Sequence, residues 1–100
     1  MKLKSLLVLL ILMFAVSIVY ADYNTPGTGK VWTLDSLVQN SAGAVTFSGG
    51  AYFFNTNIFL ANSDTLKILN NAVVKVDSAK LFTVYGTLII NPPDSVNLQL

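Results

Sequence analysis

The sequence has no cysteine and no histidine, and arginine and glutamate are missing as well. Each absence removes an explanation. Without cysteine there are no disulfides, the usual support of small exported domains with thin cores. There is also no thiol chemistry, and no cysteine to carry a lipid. Without histidine or cysteine no zinc-type ligand cluster can be assembled. Charge is scarce too, at 11% of residues.

What is abundant is apolar, and it is unevenly spread. Lys2 and Lys4 precede an unbroken apolar run from Leu6 to Val16, which resumes after Ser17. Val19-Tyr20-Ala21 then precedes Asp22, placing a β-branched and a small residue at the −3 and −1 positions of a cleavage site. This is the pattern of a secretory signal peptide, expected over residues 1–21. The run is shorter than the about 20 apolar residues that span a bilayer, and it ends in polar, turn-rich sequence. No stable membrane anchor is expected after cleavage.

Removing the leader changes the balance of charge. The remaining residues 22–100 carry Lys30, Lys67, Lys75 and Lys80 against Asp22, Asp35, Asp64, Asp77 and Asp94, a net charge of −1. Nucleic acid is excluded as a partner, because its binding rests on clustered basic side chains. The lysines are also too dispersed for a basic membrane patch.

Residues 22–30, DYNTPGTGK, are rich in turn formers and read as a flexible leader into the fold. Val31-Trp32 reads as a short strand. Leu34, Leu37 and Val38 share one helical face, Thr33 is placed to N-cap, and Asp35 sits in the first turn where negative charge is favoured. One or two helical turns are expected there, ended by Ser41-Ala42-Gly43. Beyond this the period is two. Short runs at 44–47, 51–54, 57–60, 65–68, 74–76, 82–84, 88–90 and 96–100 are separated by Ser48-Gly49-Gly50, Asn55-Thr56, Asn70-Asn71, Asp77-Ser78, Gly86 and Asn91-Pro92-Pro93-Asp94. Alternation over short runs is the strand signature, and the separators are turn formers.

The fold class is therefore all-β with one short helix. Leu66, Phe82 and Leu98 recur at a step of 16, and self-similarity at a fixed short period marks a solenoid. A small antiparallel β-sandwich or meander also uses short, evenly spaced strands and stays open as the alternative.

Trp32-Thr-Leu-Asp-Ser-Leu-Val, Asp64-Thr-Leu-Lys-Ile and Val84-Tyr-Gly-Thr-Leu-Ile-Ile resemble the start of secreted bacterial right-handed parallel β-helix proteins of the pectin-lyase-like superfamily. The resemblance covers residues 31–100. It implies a capping helix followed by the first coils of a β-helix. It also implies export through the bacterial periplasm to the cell surface or beyond. The chain stops in an alternating run, Val96-Asn-Leu-Gln-Leu100, and is expected to be an incomplete reading of a longer protein whose own downstream coils are its partners.

Enzymes of that superfamily act on polysaccharides, and glycoside hydrolysis needs two positioned carboxyl groups. Asp35 belongs to the cap, while Asp64, Asp77 and Asp94 open or close turns, where Asp binds its own backbone. A lyase needs a base and a cation, and no aspartate pair has calcium-ligand spacing. No catalytic, cofactor or metal residue is expected in this segment. Thr65, Lys67 and Lys75 are expected to point outward. Tyr52, Phe53, Phe54 and Phe59 are expected in the core of the first coil rather than as a sugar platform. The expected role is non-catalytic: cap and scaffold, with a polysaccharide or cell-surface glycan as the partner class. The alternative is the N-terminal part of a polysaccharide lyase or hydrolase with its site downstream.

Expression of the full chain in a bacterial host should yield an exported protein whose first residue is Asp22. Intact-mass measurement and N-terminal sequencing check this, and a product retaining residues 1–21 would refute the leader.

Overall fold

The computed structural model describes residues 21–99. The leader expected over 1–21 lies, apart from Ala21, outside the described residues, as does Leu100.

Helix α1, Leu34–Asn40, forms where expected and for local reasons. Thr33 Oγ1 accepts from Ser36 N–H at 3.1 Å, and Ser36 Oγ accepts from Thr33 N–H at 2.8 Å. This reciprocal box satisfies two of the N–H groups a helix start leaves unpaired. Leu34 and Leu37 face inward and are buried.

The described residues form ten strands: β1 Tyr23–Asn24, β2 Val31–Trp32, β3 Val45–Ser48, β4 Ala51–Phe54, β5 Ile58–Leu60, β6 Thr65–Ile68, β7 Ala72–Val76, β8 Phe82–Val84, β9 Thr87–Ile90 and β10 Val96–Gln99. They fall into three sheets of order β1-β5-β8, β2-β6-β9 and β10-β7-β4-β3. Apart from the β3–β4 hairpin, consecutive strands belong to different sheets, so the chain visits all three sheets in each of three passes. The first pass is β1, β2 and β4, the second β5, β6 and β7, and the third β8, β9 and β10. Every pairing between passes is parallel. The antiparallel geometry held open by the sequence is confined, among the described residues, to the β3–β4 hairpin. Gly49 and Gly50, with φ of 58° and 80°, supply its two-residue turn, the conformation that matches strand twist and favours glycine.

The register corrects the expected step of 16. Leu66 pairs with Leu88, 22 residues on, and Val74 pairs with Leu98, 24 residues on. Phe82 pairs with Ile58. Leu66, Phe82 and Leu98 thus lie in three different sheets. The physical reason is that a pass contains three strands rather than two, and alternation looks the same in each.

Side chains at alternate strand positions meet in a common interior. Trp32, Leu37, Val45, Phe54, Ile58, Leu60, Leu66, Ile68, Val74 and Val76 are buried there. The expected aromatic cluster is split by the same alternation. Phe54 is buried edge-on against Phe82 at 5.1 Å, and Tyr52 packs on the core's margin. Phe53 and Phe59 lie half-buried at outward positions, flanked in sequence by inward ones. Lys75 is exposed as expected, 5.6 Å over the Phe53 ring, while Thr65 and Lys67 are half-buried. Among the described residues no helix is long and apolar enough to cross a membrane.

At Gly86 the third pass lies directly against the second. A Cβ there would collide with the backbone carbonyl oxygens of Asp64 and Ala61, atoms already held by hydrogen bonds from Thr87 N–H and Asp64 N–H. Gly86→Ala should therefore cost about 2 kcal/mol or more. Urea unfolding of the two proteins measures it; a loss below about 0.5 kcal/mol would mean the passes separate freely.

Candidate functional site

Among the described residues Asp64 is the one buried charged side chain, 1% exposed. Its Oδ1 accepts from the N–H groups of Gly29 and Lys30, each at 3.0 Å. Its Oδ2 accepts from Gly27 N–H at 3.0 Å and Trp32 Nε1–H at 3.3 Å. Burial pushes the carboxyl upward, but the Thr25 hydroxyl and the N–H groups of Gly27, Lys30 and Trp32 outweigh this and hold it at about 2. Trp32 is fixed in turn: Lys30 Nζ lies 4.1 Å over its ring, and Tyr23 packs edge-on at 6.2 Å.

Asp64, Asp77 and Asp94 are expected to serve their own turns and Asp35 the start of the cap helix. Asp77 accepts from Ser78 N–H and Asp35 lies in the first turn of α1, as expected. Asp64 and Asp94 are held by partners 23 to 37 residues away instead. Asp22 accepts from Thr56 Oγ1–H and Asn57 N–H, which lower its pKa. Asp35 accepts from Tyr52 O–H. Asp94 accepts from Asn71 Nδ2–H. Residues 22–30, expected as a flexible leader, contain β1 and three of the donors to Asp64. No local signal marks these contacts. The one available clue was an aspartate beside a strand with two glycines and a tryptophan upstream.

Two of the surface clefts are lined by polar and aromatic side chains. One, of about 160 Å³, lies between α1 and the turn after β6, lined by Asp35, Tyr52, Lys67, Asn70 and Asn71 among others. Desolvation, reinforced by the bond to Asp35, raises the Tyr52 phenol to about 12, so it stays a hydrogen-bond donor. Asp35 is the cleft's single carboxylate, one short of the pair that glycoside hydrolysis uses. The second is a shallow groove lined by Asn24, Phe59, Ala61 and Tyr85. Two aromatic rings and one amide line it, apolar faces beside a hydrogen-bonding group. Among the described residues no three potential metal ligands come together.

The two ends of the stack differ. On the first pass, α1, β3 and the turn between them lay Leu34, Leu37, Ala44 and Val45 over the interior. On the third pass the interior columns come into the open. Ile68 is 5% exposed, but its register partner Ile90 is 42% exposed. Val74 is 1% exposed and its partner Leu98 49%.

Asp64→Asn should destabilise the fold by about 3 kcal/mol, because an amide offers one acceptor where two oxygens face N–H donors. Urea unfolding and amide exchange at Tyr23–Thr25 report it. The wild-type carboxyl titrates lower folded than unfolded. Its stabilising contribution is complete above about pH 4 and is lost as pH falls towards 2. The Asp64→Asn variant should lack this component, so its stability should fall less steeply over that window. Equal slopes would show that Asp64 is not a buried anion. No family model, curated protein or solved structure matches this chain.

Proposed function

We propose that the chain is the non-catalytic N-terminal cap and first coils of an exported right-handed parallel β-helix. In this reading it is a scaffold with a glycan-facing exterior. The observation that carries the reading is the combination of a helix-plugged first pass with three passes stacked in parallel register. Solenoids need such a plug, because the interior of the terminal repeat otherwise meets water. The leader supports export, and the Asn24–Phe59–Tyr85 groove supports a neutral sugar surface as the contact. The lyase or hydrolase alternative gains nothing from the aspartates. Asp64 is saturated by donors and Asp35 stands alone in its cleft.

Capping is tested by Leu37→Ala, which opens the plug. It should cost about 3 kcal/mol, against about 1 kcal/mol for the capping-box variant Thr33→Ala. Thermal and urea unfolding measure both. The glycan contact is tested by affinity electrophoresis in gels containing neutral or acidic polysaccharides. Retardation that Tyr85→Ala abolishes is the expected result. Release of reducing ends or unsaturated products by the wild-type protein would overturn the non-catalytic reading.

A further inference from the structure

The cleft between α1 and the turn after β6 carries charges of both signs that form no hydrogen bond with each other. Asp35 lines it from the cap and Lys67 from β6, together with Tyr52 and Asn70. Asp35 Oδ1 accepts from Tyr52 O–H, while its Oδ2 accepts nothing among the described residues. Asn71 is committed to Asp94 and Ser95. Lys67 Nζ and the Asn70 amide, by contrast, have no hydrogen-bond partner among the described residues. Leu34, Ile68, Leu69 and Ala72 supply an apolar wall, of which Leu69 is 51% exposed. Every lining residue belongs to the first two passes, so the cleft is complete without the third. It shares no residue with the Asn24–Phe59–Tyr85 groove.

We propose that this cleft binds a free α-amino acid with a small apolar side chain. Charge selects the class. A neutral sugar would cover Asp35 and Lys67 and leave both without an opposite charge, and covering an unpaired charge is costly. A simple anion or cation answers one of them and leaves the other. A zwitterion answers both. Its ammonium donates to Asp35 Oδ2, and its carboxylate accepts from Lys67 Nζ and the Asn70 amide, bonds of the stronger, charge-assisted kind. The Tyr52 bond already holds the Asp35 carboxylate in place, which lowers the ordering cost of binding. Size selects the member. The cleft, about 160 Å³, holds about five waters at about 30 Å³ each. That is room for a molecule such as valine, well short of the about 300 Å³ where drug-sized sites begin. The ligand's methyl groups then lie on Leu69 and Ala72.

Backbone-amide NMR of the exported chain, titrated with L-valine, tests this. Saturable shifts are expected at Asp35, Lys67 and Asn70 with a Kd of about 1 mM, the scale of a few polar contacts to a small ligand. Isovalerate lacks the ammonium and isobutylamine lacks the carboxylate; each should bind about 10-fold more weakly. Asp35→Asn, which keeps an acceptor for Tyr52, and Lys67→Gln should each raise the Kd for valine by about 10-fold. Amide-exchange protection at Leu66 and Val74 reports that the variants remain folded, and the two analogues test the same charges on the unaltered protein. Either analogue binding as tightly as valine overturns the proposal. So do folded variants with unchanged affinity, the same shifts with D-glucose, or no saturation by about 20 mM valine, an order of magnitude above the expected Kd.

Discussion

The carboxylate of Asp64 accepts hydrogen bonds from Gly27, Gly29, Lys30 and Trp32 where water hardly reaches, and the course of the first pass follows from satisfying it. A buried anion without partners is among the most costly groups a protein can hold. Here both oxygens are met only if residues 27–32 curve around the carboxylate. That curve delivers Val31 and Trp32 alongside Thr65 and Leu66. It also lays the indole over the interior, where α1 can close on it. Charge burial thus sets a register that two short strands, β1 and β2, would specify poorly by themselves.

The same logic recurs at the corners, in weaker form. Parallel ladders lapse where the chain turns from one sheet to the next, and the freed N–H groups need acceptors. Thr25 Oγ1 accepts from Ala61 N–H, Asn57 Oδ1 from Leu81 N–H, and Asn71 Oδ1 from Asp94 and Ser95 N–H. In each case a polar side chain of one pass holds the backbone of the next. Among the described residues every deeply buried side-chain polar atom has a partner.

How much of this could be read from the sequence depends on the reach of each interaction. The Thr33 N-cap, the turn at Gly49-Gly50 and the strands after the helix are short-range, and the sequence shows them. By contrast β1, within residues 22–30, depends on pairing with distant β5 and reads only as turn formers. The bonds of Asp22, Asp35, Asp64 and Asp94 span 17 to 37 residues, and an aspartate near a turn looks the same whether it serves that turn or a distant one. The pass length was hidden for a related reason. Alternation identifies each strand but not which strand it stacks on, so a step of 16 fitted the pattern as well as the 22 to 24 that pairing reveals. The cleft beside Asp35 and Tyr52 joins α1 to the turn after β6, two elements the sequence gives no reason to bring together.

The first pass is longer than the second, and all the extra length sits in one place. Trp32 to its partner Leu66 is 34 residues, whereas Tyr52 to its partner Val74 is 22, the same as Leu66 to Leu88. The twelve additional residues fall between β2 and β4, as α1 and the hairpin strand β3, and the strands on either side keep their pairing. That corner therefore behaves as an expansion joint. Extra chain is taken up there while the three walls stay aligned, but Leu34, Leu37 and Val45 of that segment close the interior, so a foreign loop is best grafted at its exposed Gly49-Gly50 turn.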